Sequence, residues 1–160
     1  MASYSNKSQK SLADARSTSC VKKIQEYLYD ERVDIRESAA QNPNLTEGMI
    51  LDIIFNNWFC VALVAATHKK VTPDMLLKVY RDCHQIKFPD IKNSKSREDT
   101  MNRLQQALAR HSLFPYEGWS EAMESEIKDL KESAMRHPMA STWNDPLYKL
   151  LREAKKSDSE

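Results

Sequence analysis

The sequence predicts an all-α protein, a short stack of helical hairpins, from three observations. Only two glycines occur in 160 residues, which disfavours a sheet with tight hairpin turns and a glycine-rich phosphate loop. Apolar residues make up 41% of the chain and charged residues 29%, a balance typical of globular proteins. Similar short strings also recur around Asn42, His68, His111 and His137. Together these observations favour helices that repeat along one domain.

The recurring strings are regularly spaced. The steps from residue 42 to 68, from 68 to 111 and from 111 to 137 are 26, 43 and 26 residues. A repeat of this length is usually one helical hairpin, which cannot bury its apolar face alone. Neighbouring copies must therefore stack into a shared core, and we expect residues 18–151 to form a single helical-repeat domain.

The chain is expected to begin with a polar arm and a capping helix. Residues 1–17 are predicted to form the arm, and the first ten contain no apolar stretch of the kind that a secretory signal requires. Val21, Ile24 and Leu28 then recur at helical spacing, which predicts a helix over residues 20–30 that caps the stack.

Two similar repeats follow. The first spans about residues 33–56, and the second continues from there to residue 82. In the first, Ile35 and Ala39 share one face of a short helix, and Thr46 caps a second helix. In the second, Val61 and Ala65 stand at the matching places, and Thr72 is the cap. The inward residues of the two capped helices are predicted to be Met49, Ile50, Ile53 and Ile54, and then Met75, Leu76, Val79 and Tyr80.

Residues 84–97 interrupt this rhythm and are predicted to form a basic inserted loop. Ser96 with Asp99 then opens a helix in which Met101, Leu104 and Leu108 line one side. Two further repeats are expected up to residue 151 without strict register, and residues 152–160 read as a polar tail. Their inward residues are predicted to be Trp119, Met123, Trp143, Leu147, Leu150 and Leu151.

Two strings resemble a known family of repeats. Ile35-Arg36-Glu37-Ser38-Ala39-Ala40-Gln41-Asn42-Pro43-Asn44-Leu45-Thr46 and residues 65–76 are similar to the leucine-rich repeat variant, a relative in shape of HEAT repeats. The resemblance covers residues 33–82 and extends faintly to 105–151, while His68-Lys69 lacks the usual Asn-Pro and the cysteine cluster of some members has no counterpart. It implies a right-handed α-solenoid with a concave surface that binds a macromolecule.

The histidines and cysteines do not predict an enzyme or a metal site. His68, His111 and His137 stand at equivalent places, where a histidine at a helix end commonly bonds free carbonyl groups. Cys60, Cys83 and His84 lack the short paired spacings of structural zinc ligands. We therefore expect no catalytic residue, cofactor or metal ligand, and the scattered cysteines favour a cytoplasmic location.

Charge is distributed unevenly, although the formal net charge is only +1. Residues 69–97 hold eight basic residues against three acidic ones, whereas residues 117–132 hold six acidic residues against two basic ones. A basic region of this kind binds phosphates, steers an acidic protein, contacts the acidic segment of a second copy, or is ordinary solvated surface. The predicted partner-binding residues are Lys69, Lys70, Lys87, Lys92, Lys95 and Arg97, with Phe114 and Tyr116 as exposed aromatic anchors.

The sequence thus predicts a non-enzymatic module that binds another protein as scaffold, adaptor or inhibitor. The alternative is a nucleic-acid-binding protein that uses residues 69–97, and a homo-oligomer joined through the basic and acidic segments also stays open. A membrane partner is not expected, because the most apolar window, residues 48–66, contains Asp52, Asn56 and Asn57. The identity of the partner is not encoded in any motif of the chain.

Overall fold

The computed structural model describes residues 11–143 and residue 145. Within this part of the chain all regular structure is helical, which confirms the predicted all-α class. The α-helices are α1 (residues 11–17), α2 (Val21–Leu28), α3 (Val33–Ala40), α4 (Glu47–Asn56), α5 (Phe59–Ala66), α6 (Pro73–Arg81), α7 (Ser94–Ala109), α8 (Tyr116–Glu124) and α9 (Lys128–Ala134). Short 3₁₀ helices lie at Cys83–Gln85 and Pro138–Thr142.

Residues 11–17, which the sequence places in a polar arm, form a packed helix instead. Ala15 of α1 is fully buried, and Asn42 donates hydrogen bonds to the carbonyl oxygens of Ala15 at 2.8 Å and Thr18 at 3.0 Å. Tyr27 donates from its hydroxyl to Asp14 at 2.5 Å, which ties α1 to α2. Most of these contacts are polar, so apolar periodicity carried no signal for them. Residues 1–10, the rest of the predicted arm, lie outside the described part.

Helices α3 to α6 match the prediction closely. Thr46 and Thr72 accept from the backbone N–H groups of Met49 and Met75, both at 3.3 Å, and so cap α4 and α6. Seven of the eight predicted inward residues are buried, and only Met49 is half-buried. Helix α2, predicted as the cap of the stack, lies where expected and buries Ile24 and Leu28, but α1 packs before it.

The third pair of helices repeats the second in register, which the sequence pattern did not predict. Leu104 and Leu108 of α7, like Trp119 and Met123 of α8, are buried. Each stands 43 residues after its counterpart: Val61, Ala65, Leu76 and Tyr80. The apolar pattern did not reveal this register because Trp119 stands where the second pair has a leucine, and the small residues Gly118 and Ala122 lie beside it. The size of the side chains differs between the two pairs, but their positions are the same. Predicted inward residues Leu147, Leu150 and Leu151 lie outside the described residues.

The helices pack in two series. Helices α3, α5, α7 and α9 contact one another in that order, and α4, α6 and α8 do the same. Consecutive helices pack most closely as the pairs α2–α3, α4–α5 and α8–α9. The tightest hairpins are therefore offset by one helix from the repeats that the sequence suggested.

The corner between α4 and α5 is held by a buried amide. Asn57 donates from its side chain to the carbonyl oxygen of Leu28 at 3.0 Å and accepts from Arg36 at 3.2 Å. The Arg36 guanidinium also lies 3.9 Å from the centroid of the Trp58 ring, an arrangement that stabilises a cation over an aromatic face. This cluster joins the end of α2 to the start of α5.

The insertion is anchored to the same corner and is shorter than predicted. Ile86 and Phe88 are each 1% exposed, the Lys87 backbone N–H donates to the Phe55 carbonyl at 2.7 Å, and Phe88 packs edge-on against Phe59. Asn93 caps α7 by accepting from the Lys95 N–H at 2.9 Å, so residues 94–97 belong to the helix. Apolar anchors thus fix a segment that the break in the repeat rhythm predicted to be a loop.

The two glycines give a matched test of this packing. A Cβ on Gly118 would lie 2.5 Å from Phe114 Cζ and 2.9 Å from Leu77 Cδ1, whereas a Cβ on Gly48 meets nothing within 4 Å. We expect Gly118→Ala to lower the free energy of unfolding by about 1–3 kcal/mol through overpacking. Gly48→Ala should raise it by up to about 1 kcal/mol, because alanine favours the helix. Urea unfolding followed by circular dichroism measures both, and equal effects would contradict the packing described.

Candidate functional site

The four marker residues, Asn42, His68, His111 and His137, occupy one repeated turn, and we call them the turn row. Each follows the end of a helix of the first series, and its backbone N–H bonds to the carbonyl three residues back at 2.9–3.0 Å. Each side chain also accepts the backbone N–H two residues on, at 2.9–3.2 Å, from Asn44, Lys70, Leu113 and Met139 respectively. Asparagine and histidine are interchangeable here because both place an acceptor at the same distance from the backbone.

The turn row also links successive turns. His68 bonds through Nε2 to the Asn42 carbonyl at 3.1 Å, and His137 bonds through Nε2 to the His111 carbonyl at 2.9 Å. Because Nδ1 of each ring faces an N–H donor, Nδ1 carries no proton and Nε2 is the donor. The two rings are therefore neutral. For His68 and His137 this agrees with the interpretation that these histidines bond carbonyl groups beyond helix ends, whereas the His111 ring bonds only to the Leu113 N–H in the described part.

The surroundings of the turn row favour the neutral rings. His68 is 8% exposed and His137 is 4% exposed. Burial is the main cause that lowers the pKa of His68, His111 and His137 below the ordinary value of 6.5, and Lys70 and Lys69 contribute at His68. Both ring nitrogens of His68 and His137 are occupied by the backbone, so these rings serve to hold turns together.

The predicted basic residues do not form one patch. Lys69 and Lys70 follow α5, and Lys70 donates from Nζ to the Leu45 carbonyl at 2.8 Å, which ties it to the preceding turn. Lys92, Lys95 and Arg97 lie before or within the first turn of α7. Helices α5 and α7 run side by side, since the Arg103 guanidinium lies 5.1 Å from the Phe59 ring centroid. At about 1.5 Å per residue the two basic groups are separated by about 20 Å along the helices.

Four of the predicted basic residues remain together around the insertion. Lys87, Lys92, Lys95 and Arg97 are exposed, and none of them forms an ion pair with another described residue. Glu98 and Asp99 follow directly on α7 and reduce the local positive charge. The cluster is therefore weaker than the count over residues 69–97 suggested.

The prediction that Phe114 is an exposed aromatic anchor is wrong. Phe114 is 2% exposed, and its ring packs against Tyr80 with centroids 5.2 Å apart. It occupies the buried position that Leu45 and Val71 hold in earlier turns. Tyr116 is half-buried and lies 5.8 Å from the Trp119 ring, so its ring is also mainly a packing element.

Helix α5 carries a surface that the sequence prediction missed. Its residues Cys60, Leu63 and Val64 are half-buried at the edge of the core, whereas Val61, Ala62, Ala65 and Ala66 on the other side of the helix are buried. Residues 59–66 contain no charged or polar side chain apart from the Cys60 thiol. That uninterrupted apolar run was the available signal, but it is equally typical of a fully buried helix.

Comparison of the chain with models of protein families, with curated proteins and with solved structures found no match. Among the described residues, no three histidine, cysteine, aspartate or glutamate side chains are grouped to hold a metal ion. The helices of this part are also too short or too polar to cross a bilayer.

Removal of one ring from the turn row should destabilise the fold. His137→Ala removes the second bond of the His111 carbonyl, which keeps the Phe114 N–H, and leaves the Met139 N–H without its side-chain acceptor. We expect a loss of about 1–3 kcal/mol in the free energy of unfolding. His84→Ala is the control, because His84 is exposed and should change stability by less than about 0.5 kcal/mol. Urea unfolding compares the two variants, and equal values would show that the ring bonds contribute nothing.

The turn row also predicts a pH dependence. A histidine whose pKa is lower in the folded chain binds fewer protons there than in the unfolded chain, so its contribution is complete above pH 6.5 and is lost as the pH falls. We expect the free energy of unfolding to decrease from about pH 7.5 to about pH 5.5. His137→Gln should reduce this decrease, whereas His84→Ala should not. A stability that rises toward pH 5.5 would contradict the assignment.

Proposed function

We propose that the chain is a non-enzymatic interaction module that binds another protein as scaffold, adaptor or inhibitor. Its architecture in this proposal is a short right-handed stack of helical hairpins, HEAT-like and similar to the leucine-rich repeat variant. The single observation that carries the proposal is the turn row, in which residues 26 positions apart make the same bonds and link one turn to the next. Such repetition is typical of proteins whose units each contact only their neighbours.

The two series of helices support this architecture. Contacts run from α3 through α5 and α7 to α9, and separately from α4 through α6 to α8. In stacks of this kind, side chains at equivalent positions line up across neighbouring helices and present an extended surface. Binding of a macromolecule follows from that shape by analogy with other repeat proteins.

The chemistry of the turn row supports a binding role over catalysis. A general base needs a ring nitrogen that can take a proton from a substrate. In His68 and His137, Nδ1 accepts a backbone N–H and Nε2 donates to a carbonyl, so proton uptake would break a bond of the fold. We also place the protein in the cytoplasm, since Cys20, Cys60 and Cys83 are free thiols.

Nucleic acid is the second candidate partner, favoured by one observation. Lys87, Lys92, Lys95 and Arg97 are exposed around an insertion that Ile86 and Phe88 hold in place. Contacts between such residues and phosphates release counterions, so the affinity falls steeply with salt. The same residues could meet the acidic segment 117–132 of a second copy, but Glu121 there already pairs with Arg81.

Affinity capture with the full chain from nuclease-treated extract of the native host tests the proposal. We expect a protein to be retained and, once purified, to bind the full chain at a fixed stoichiometry in isothermal titration calorimetry. The same chain should bind random DNA and RNA oligonucleotides only weakly at about 0.15 M salt, because exposed charges are then screened beyond about 8 Å.

Charge reversal distinguishes the two candidates. The triple variant Lys92→Glu, Lys95→Glu, Arg97→Glu is compared with Lys22→Glu, which changes an exposed residue of α2. The nucleic-acid proposal replaces the protein-binding one if two results are obtained together. The chain must bind oligonucleotides tightly, with binding lost in the triple variant and kept in Lys22→Glu, and no protein must be captured.

A further inference from the structure

The outer surface of the first helix series can be mapped by equivalent positions. The residues five before each turn-row residue are Glu37, Leu63, Gln106 and Glu132, and those eight before are Asp34, Cys60, Arg103 and Asp129. The helices that carry them are neighbours, because α3, α5, α7 and α9 contact one another in order. Leu63 and Cys60 are the apolar members of these two rows.

The apolar residues lie between surfaces of opposite charge. Helix α3 presents Asp34 and Glu37, and after burial Glu37 and, to a smaller extent, Asp90 of the insertion contribute to the raised pKa of the Cys60 thiol. Helix α7 presents exposed Arg103 and Arg110, with one acidic residue, Asp99, a turn before them. The Arg103 guanidinium lies over the Phe59 ring at the start of α5. We call the surface formed by these residues the α5 face; it consists of Asp34, Glu37, Cys60, Leu63, Arg103 and Arg110.

We propose that the α5 face binds a peptide segment of another protein, with an apolar side chain over Leu63 and Cys60, a basic side chain beside α3 and an acidic one beside α7. The proposal rests on the proposed function and names the surface and the partner chemistry for it. Complementary charges on both sides of an apolar centre fix the direction in which a segment lies across the helices.

The size of the α5 face favours a peptide over a second copy of the chain. Helix α5 has eight residues, about 12 Å in length, and three neighbouring helices at about 10 Å spacing span about 20 Å between their axes. The face therefore covers about 240 Å² by these dimensions, below the roughly 800 Å² per partner that a stable dimer needs. An extended segment of six or seven residues, at about 3.3 Å each, crosses it.

The fold itself offers a suitable substitution. Gln106 and Glu37 occupy the positions equivalent to Leu63, so a polar side chain there is compatible with a helix of this series. Leu63→Gln should therefore fold while removing the apolar centre. Leu51→Gln is the matched control, because Leu51 is a half-buried leucine of α4 in the other helix series.

Selection of phage-displayed random peptides of about twelve residues, long enough to cross the face at about 3.3 Å per residue, tests the proposal on the full chain. We expect enriched peptides to carry an apolar residue between a basic and an acidic one. A synthetic copy labelled with fluorescein should bind wild-type chain and Leu51→Gln equally and Leu63→Gln at least about tenfold more weakly, measured by anisotropy. Glu37→Lys with Arg103→Glu should favour the peptide with its charges exchanged.

Several results would overturn the assignment. Enriched peptides without the charge order, or peptides that bind Leu63→Gln as well as wild type, would place the binding surface elsewhere. If the chain dimerises with concentration in analytical ultracentrifugation and Leu63→Gln abolishes the dimer, the α5 face binds a second copy of the chain instead of a peptide. If a captured protein binds Leu63→Gln as tightly as wild type, the proposed function stands and the α5 face is excluded as its binding surface. If selected peptides bind the α5 face but no protein is captured, the α5 face stands and the proposed function is excluded.

Discussion

The hydrogen bonds of the turn row are the constraint on which the arrangement of helices depends. The turn that follows a helix carries backbone N–H and carbonyl groups without partners inside the helix, and buried ones must be bonded elsewhere. In this chain one side chain serves two needs, since it accepts an N–H of its own turn and donates to the preceding turn. The bond to the preceding turn sets the height of one helix relative to the next. Apolar packing then fills the space between them, with Ala39, Ala65 and Ala134 small enough to let the helices approach.

The same economy explains why asparagine and histidine share the row. At the first turn the neighbour is the end of α1, where the carbonyl groups of Ala15 and Thr18 lie within reach of the short Asn42 amide. At the second and fourth turns the neighbour is another turn, and the longer imidazole reaches its carbonyl. At these three turns the choice of residue follows from the distance to be crossed, which sequence spacing alone does not contain.

Much of the fold could be predicted because caps, turns and apolar periodicity agreed at the same positions. Thr46, Thr72 and the inward residues of α4 and α6 were identified in this way. Helix α1 was not predicted because hydrogen bonds of amide and hydroxyl groups hold it. The register of the third pair of helices was not recognised because Trp119 stands where the second pair has a leucine. The prediction of an exposed aromatic residue was wrong because Phe114 occupies the buried position that Leu45 holds in the first turn. That equivalence depends on an alignment of all four turns.

Surface properties were predicted less well, for a physical reason. Charge counts along the chain ignore that Lys69 and Lys92 lie near opposite ends of parallel helices, and that Lys70 is tied to a carbonyl. An apolar run such as residues 59–66 likewise does not reveal which of its side chains face outward. Those facts depend on how the helices pack, with α3 and α7 on either side of α5.

The insertion between α6 and α7 lies where the chain of bonds between turns is interrupted. In the described part of the chain no ring of the third turn bonds to the second, and α5 touches α7 less extensively than α7 touches α9. At this joint side chains of α6 replace the missing bond between turns: Tyr80 packs against Phe114, Arg81 pairs with Glu121, and the Tyr80 carbonyl accepts from the Gln105 amide at 3.3 Å. The second helix series therefore carries the connection between residues 11–81 and 94–142 that the turn row does not make.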